Sequence, residues 1–235
     1  MARATTAPPP GLTPFRPARK ALRAVHERLL AAYGPQHWWP GETPFEVMVG
    51  AVLTQNTAWR NVERAIANLK GAGALEAARL AVLPAAELAA LIRPAGYFNV
   101  KARRLQAFCR FVVGSGGESA LASLATPVLR RRLLAVHGVG PETADDILLY
   151  AFGRPVFVID AYTRRLFARL GLARGDEPYE ALRAGVERAL GPDAALFNEL
   201  HGLIVRHAKA ACAKTPRCAG CCLRRACPTG RADAA

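Results

Sequence analysis

Apolar residues recur at three- and four-residue intervals along most of this chain, the spacing that lines one face of an α-helix. Ala21, Leu22, Val25, Leu29 and Leu30 form the first such face and predict a helix over 18–33. The loop His37-Trp38-Trp39-Pro40-Gly41 follows. Thr43-Pro44-Phe45-Glu46 then makes a capping box with proline in the first turn, opening an almost wholly apolar helix through Leu53. Gln55-Asn56-Thr57 breaks it, and another helix is expected through Lys70. Shorter periodic stretches predict helices over 75–82, 85–92, 100–113, 118–124 and 127–135, with Asn99 and Thr126-Pro127 as starts at two of them. Four more are expected over 141–152, from Asp160 to about 170, from Pro178 to about 190, and over 193–209. β-branched runs are short and no internal repeat is present, so the fold class expected is all-α. The apolar run 47–53 is far shorter than the roughly 20 residues of a membrane span, and no membrane partner is expected.

The 235 residues are 51% hydrophobic and 21% charged, which suits one large or two small globular domains with a real core. The net charge of +14 is unevenly placed. Residues 1–40 carry six Lys/Arg against one acid, 41–200 nineteen against sixteen, and 201–235 seven against one. Basic ends around a nearly balanced middle suit a polyanionic partner, although arginine-rich composition also follows from a GC-rich genome. The opening MARATTAPPPGLTPFRP is basic and proline-rich, without the apolar stretch of a secretory signal, and is expected to be a disordered arm over 1–17.

Five of the six cysteines lie within 16 residues near the C-terminus, which points to an intracellular metal site and not to a disulfide scaffold. Cys212, Cys218, Cys221 and Cys227 are spaced C-x5-C-x2-C-x5-C, with Cys222 as a spare. Four thiolates on a compact loop can hold zinc or a four-iron cluster; the wide gaps and single C-x2-C knuckle favour iron–sulfur. Upstream, Gly138-Val139-Gly140 opens a helix at Pro141, and the freed backbone of such a turn lets a phosphate approach the helix start. Asp160 ends the apolar run Val156-Phe157-Val158-Ile159. It reads as a helix N-cap, and in that setting also as a carboxylate able to stabilise a positive sugar or activate a water. Trp38 and Trp39 beside Pro40 offer stacking faces for a base. Gln55 and Asn56 are amides able to fill a gap in a duplex or simply to end a helix.

Together GVGPETA (138–144), VIDAYTRR (158–165), VLTQNT (52–57) and the cysteine loop resemble the helix-hairpin-helix DNA glycosylases of the endonuclease III superfamily. The likeness runs from about residue 20 to 228. It implies a two-lobed helical fold: a six-helix barrel lobe over 41–153, and a second lobe of 18–40 plus 154–235 carrying a 4Fe–4S loop at 212–227. A damaged nucleotide in double-stranded DNA would be flipped into the cleft between them. The resemblance implies Asp160 as the essential aspartate, Gln55 as the residue filling the emptied stack, and Gly138, Val139, Gly140, Thr143 and Asn56 as DNA contacts.

WWPGETPFEVMVGAVLTQNTAW and RPAGYFNVKARRL look most like the 3-methyladenine branch, which implies a base pocket of Trp38, Trp39, Pro40 and Lys209. Where strand-cleaving members carry a nucleophilic lysine, this chain has Glu142. The expected protein is a monofunctional, monomeric glycosylase of a prokaryotic cytoplasm, associated with the nucleoid and acting on alkylated purines. Its rivals are an endonuclease III-like glycosylase and abasic-site lyase acting on oxidised pyrimidines, and a catalytically weak damaged-DNA-binding homologue.

Overall fold

The computed structural model describes residues 15–232, and among them there are helices and no strand. The greater part of the expected arm, 1–14, lies outside the described residues. Its last three residues are described and correct the expectation there: Phe15 is buried, with its ring stacked 6.3 Å from Phe167. An apolar ring at the end of a polar arm is a contact that periodicity does not register. The chain divides into two compact units, residues 39–154 and a unit joining 1–38 to 155–235.

The 39–154 unit contains α2 (Pro44–Leu53), α3 (Trp59–Gly71), α4 (Ala77–Val82), α5 (Ala85–Leu91), α6 (Phe98–Gly114), α7 (Gly117–Ala122), α8 (Thr126–Leu134) and α9 (Pro141–Asp146), while α1 (Arg19–Tyr33) belongs to the other unit. Helix α2 is the centre: every residue from Phe45 to Leu53 is buried, against α3, α6 and α9. It starts as its sequence requires, with the Thr43 hydroxyl accepting from the Glu46 N–H at 3.1 Å. The Glu46 carboxylate turns to Lys70 and the Glu42 N–H instead of closing the box on Thr43.

One helix start and one helix interior differ from expectation. Helix α6 begins at Phe98 and not at Asn99, because Tyr97 takes a left-handed conformation (φ +47°) that ends the preceding turn. The stretch expected as one helix over 141–152 is α-helical only to Asp146 and continues as a π-turn, Ile147–Ala151. Such turns cluster at functional sites, and this one carries Tyr150. Helices α8 and α9 are pinned by a bidentate pair, Arg130 to the fully buried Asp145 at 2.7 and 3.0 Å.

The second unit packs α12 (Ala194–Ala210) against α1 and α10 (Ala161–Arg169), and α1 against α11 (Tyr179–Leu190). Helix α12 is apolar through its middle and buries Phe197, Leu200, Leu203 and Ile204 completely. A cysteine-bearing loop and the short α13 (Pro228–Ala232) follow it. None of the described helices is long and apolar enough to cross a membrane.

Candidate functional site

The segment leading to Asp160 is an extended apolar strap, with Val156 to Ile159 all buried. It delivers Asp160 to the start of α10, where Oδ1 accepts from the Thr163 N–H at 2.7 Å. The cap reading is therefore correct, and it leaves the second oxygen available for other work. Oδ2 lies 3.5 Å from Nε2 of His201, a residue of α12 that is only 3% exposed. The Asp160 side chain itself keeps 13% of its surface. Burial alone would raise its carboxyl. The charge and contact of His201, with the Thr163 amide and hydroxyl, reverse that and hold it below the ordinary carboxylate value. A carboxylate that stays ionised against an apolar wall interacts strongly with positive charge developing nearby. Sequence reasoning missed His201, since a lone histidine in an apolar helix carries no motif.

In the other unit, α8 leads through Val136-His137 into Gly138, and the Val139 N–H donates to Val136 O at 3.0 Å. Gly138 has φ +86°, and a Cβ there would sit 2.3 Å from Arg104 Cγ, so both conformation and space demand glycine. Gly140 caps α9 in extended conformation, with Gly140, Pro141 and Glu142 exposed. Thr143 and Val139, expected among the DNA contacts, are buried, so any contact they make runs through their backbone. The Thr143 hydroxyl instead accepts from Gln55 Nε2 at 3.0 Å.

Gln55 is thereby tied down. Its Nε2 also donates to Gly138 O at 2.9 Å, and its Oε1 accepts from Arg104 at 2.6 Å. The amide expected to fill a gap in a duplex is, in this structure, a clasp on the hairpin. Asn56, one residue on, is exposed in a left-handed conformation (φ +55°). Beneath this turn the buried Lys101 donates to Leu53 O and Ala95 O at 2.9 and 2.7 Å; burial, then the Arg104 charge, pulls its ammonium down to about 8. Sequence reasoning also missed Tyr97, which is 67% exposed on strained backbone at the start of α6. In the sequence its signal was the glycine before the ring, Gly96-Tyr97.

The tryptophan pair is split. Trp39 joins Trp59, edge-on at 5.0 Å, and Tyr150 of the π-turn, tilted at 5.0 Å. Neither partner was singled out beforehand, although Trp59 closes the quoted WWPGETPFEVMVGAVLTQNTAW segment. Trp38 belongs to the second unit, where Lys209 Nζ stands 5.7 Å above its ring. Two of the residues expected in the base pocket, Trp38 and Lys209, thus meet within one unit. Pro40 is exposed beside Trp39.

Cys212, Cys218, Cys221 and Cys227 line one small cavity with Leu166, Arg169 and His207. Among the described residues no three His, Cys, Asp or Glu side chains close on a point suited to a single metal ion. The thiols instead surround a space, and donors face them: Arg169 reaches Cys212 Sγ at 3.2 Å and the Leu223 N–H reaches Cys221 Sγ at 3.4 Å. Such donors suit thiolates sharing a multi-atom cluster. Cys222 is exposed and is not part of the lining.

Helix α8, the glycine turn and α9 make a helix-hairpin-helix, an element that grips a nucleic-acid backbone by its amides. A family model described as HhH-GPD superfamily base excision DNA repair protein matches residues 49–192, and the chain belongs to that family as a DNA glycosylase of the endonuclease III type. It is 46% identical over 206 residues to the candidate DNA repair glycosylase MJ1434 of Methanocaldococcus jannaschii, covering 86% of this chain and 94% of that one. The Helicobacter pylori 3-methyladenine DNA glycosylase, solved bound to 1,N6-ethenoadenine, superposes with a TM-score of 0.69 at 29% identity. That match covers 82% of this chain and 97% of the other. A trapped endonuclease III–DNA covalent intermediate matches at a TM-score of 0.80 over 93% of this chain and 99% of its own; at 22% identity it shows a shared fold.

Proposed function

We propose that this protein is a monofunctional DNA N-glycosylase that releases alkylated purines from double-stranded DNA. The observation that carries the reading is Asp160: a capped carboxylate on an apolar wall, held below the ordinary carboxylate value, with a buried histidine 3.5 Å from its second oxygen. A purine alkylated on a ring nitrogen already bears positive charge and departs without a strong acid to protonate it. One well-placed anion to stabilise the oxocarbenium-like sugar and orient water is then sufficient. An oxidised pyrimidine is a neutral, poorer leaving group and asks for more.

The same reading gives the other elements of each unit a task. The backbone N–H groups of the exposed Gly140 and Glu142 at the start of α9, with the chain's excess of basic residues, hold phosphates and bind DNA without reading its sequence. Asn56 and Tyr97 stand at exposed turns from which an amide and a ring can replace lost stacking; Gln55 joins them once DNA draws it from its clasp. The π faces of Trp39, Trp59 and Tyr150 suit a cationic base. Glu142 cannot form an imine with the sugar, so strand scission by that route is absent. Cys212, Cys218, Cys221 and Cys227 hold a 4Fe–4S cluster, which when bound cross-links a C-terminal tail too short for a core of its own.

The substrate is tested by base release from duplexes each carrying one lesion. Free base is expected from duplexes with N3- or N7-alkylated purines, and rates at least about tenfold lower from oxidised pyrimidines, a gap of roughly 1.4 kcal/mol in the barrier. Release of an oxidised pyrimidine with the alkylpurine duplexes untouched would overturn the substrate assignment and favour an endonuclease III-like activity.

A further inference from the structure

We infer that His201 is a positioning residue for Asp160, holding the second carboxylate oxygen so that the anion stays fixed in direction through the reaction. This rests on Asp160 being the catalytic group proposed above. An imidazole inside an apolar helix is costly to bury without a polar partner. His201 sits among Leu200, Leu203 and Ile204 on α12, with Phe157 edge-on to its ring at 6.3 Å. Its Nε2 faces Asp160 Oδ2 at 3.5 Å, while Oδ1 is taken by the Thr163 N–H. The two oxygens therefore have partners on two different helices, α10 and α12, which pack on each other. Rotation of the carboxylate would break one contact or the other. A cap needs only one of these oxygens, so the second partner serves something beyond starting a helix.

The other ionisable groups around the strap are engaged as follows. From α11, Glu187 accepts from the Phe157 N–H and from Arg183, and the Tyr179 hydroxyl lies 3.5 Å from the Ile159 nitrogen. From α10, Arg164 donates to Glu177 O and Arg165 to Cys212 O. His201 is the ionisable side chain whose charge and contact lower the Asp160 carboxyl. Without it burial counts for more, the carboxyl rises, and the acid limb of the rate profile moves to higher pH.

The test uses the full-length protein on whichever lesion duplex it processes, with His201→Leu, His201→Gln and Asp160→Asn compared by single-turnover base release between acid and neutral pH. His201→Leu should slow release on the order of ten- to a hundredfold, the scale of losing one hydrogen-bond partner of a charged reacting group, with DNA affinity unchanged. His201→Gln keeps an N–H donor but not the imidazole; it should recover most of the rate while its acid limb, like that of the leucine variant, stands at higher pH than wild type. If leucine does not fold, the glutamine variant decides alone. A folded variant with the wild-type acid limb would overturn the inference while an inactive Asp160→Asn leaves Asp160 in its role. An active Asp160→Asn would instead overturn the catalytic assignment itself.

Discussion

Asp160→Asn is expected to reduce base release by at least about 10²–10³-fold, the scale of losing one preorganised electrostatic group, while DNA binds as tightly or more tightly. The substitution is clean because asparagine caps helices as well as aspartate does and has nearly the same volume. The amide oxygen can still accept from the Thr163 N–H, as Oδ1 does now at 2.7 Å. What disappears is the charge. A neutral side chain repels phosphate less, so affinity should hold or rise as turnover fails. Single-turnover release measured beside a binding isotherm separates the two effects. Release near the wild-type rate would reduce Asp160 to a cap.

The second large effect concerns the cysteine cavity. Cys218→Ser or Cys221→Ser should give colourless protein, without the brown absorbance of an iron–sulfur cluster, and a lower melting temperature. A group that binds only the folded state at about a thousandfold its Kd contributes roughly 4 kcal/mol, a Tm drop of roughly 8–16 °C at this chain length. The loss should fall on the unit containing α10 and α12, because Cys212 follows α12 and Cys227 Sγ lies 3.2 Å from Arg169 O of α10. Metal analysis of the wild type should find about four irons per chain. Zinc as the sole metal would contradict the cluster, and a colourless variant melting like wild type would show the loop to be dispensable for folding.

The helices were legible because their apolar faces repeat at helical spacing and their starts carry chemistry of their own. Thr43 before Pro44 and Asp160 before α10 announced helix starts and supply side-chain caps in the structure. The misses have a common origin in tertiary packing. Helix α6 starts early because Tyr97 takes a left-handed conformation, and the π-turn after Asp146 replaces an expected α-helical run. Neither alters the apolar period enough to read.

The site was legible as a set of residues and not as a set of contacts. Asp160, the glycine turn and the thiols stand in motifs, so spacing reveals them. His201 lies 41 positions from Asp160 on another helix, and only folding brings the two together. Trp59 and Tyr150 meet Trp39 in the same way. Gln55 shows the converse: its motif was plain, but its bonds to Gly138, Thr143 and Arg104 were not.

The central claim, a glycosylase that removes the base and leaves the strand whole, is tested most directly by following both products on one alkylpurine duplex. Free base and cut strand are quantified from the same single-turnover reaction, with and without borohydride and with and without hot alkali. Glu142 is exposed in the first turn of α9, where strand-cleaving relatives are expected to carry a lysine. Base should appear in full while the strand stays intact until alkali is added, and borohydride should trap no protein–DNA adduct. Strand cleavage keeping pace with base release, together with a trapped adduct, would contradict the account and make a lysine elsewhere in the chain the nucleophile.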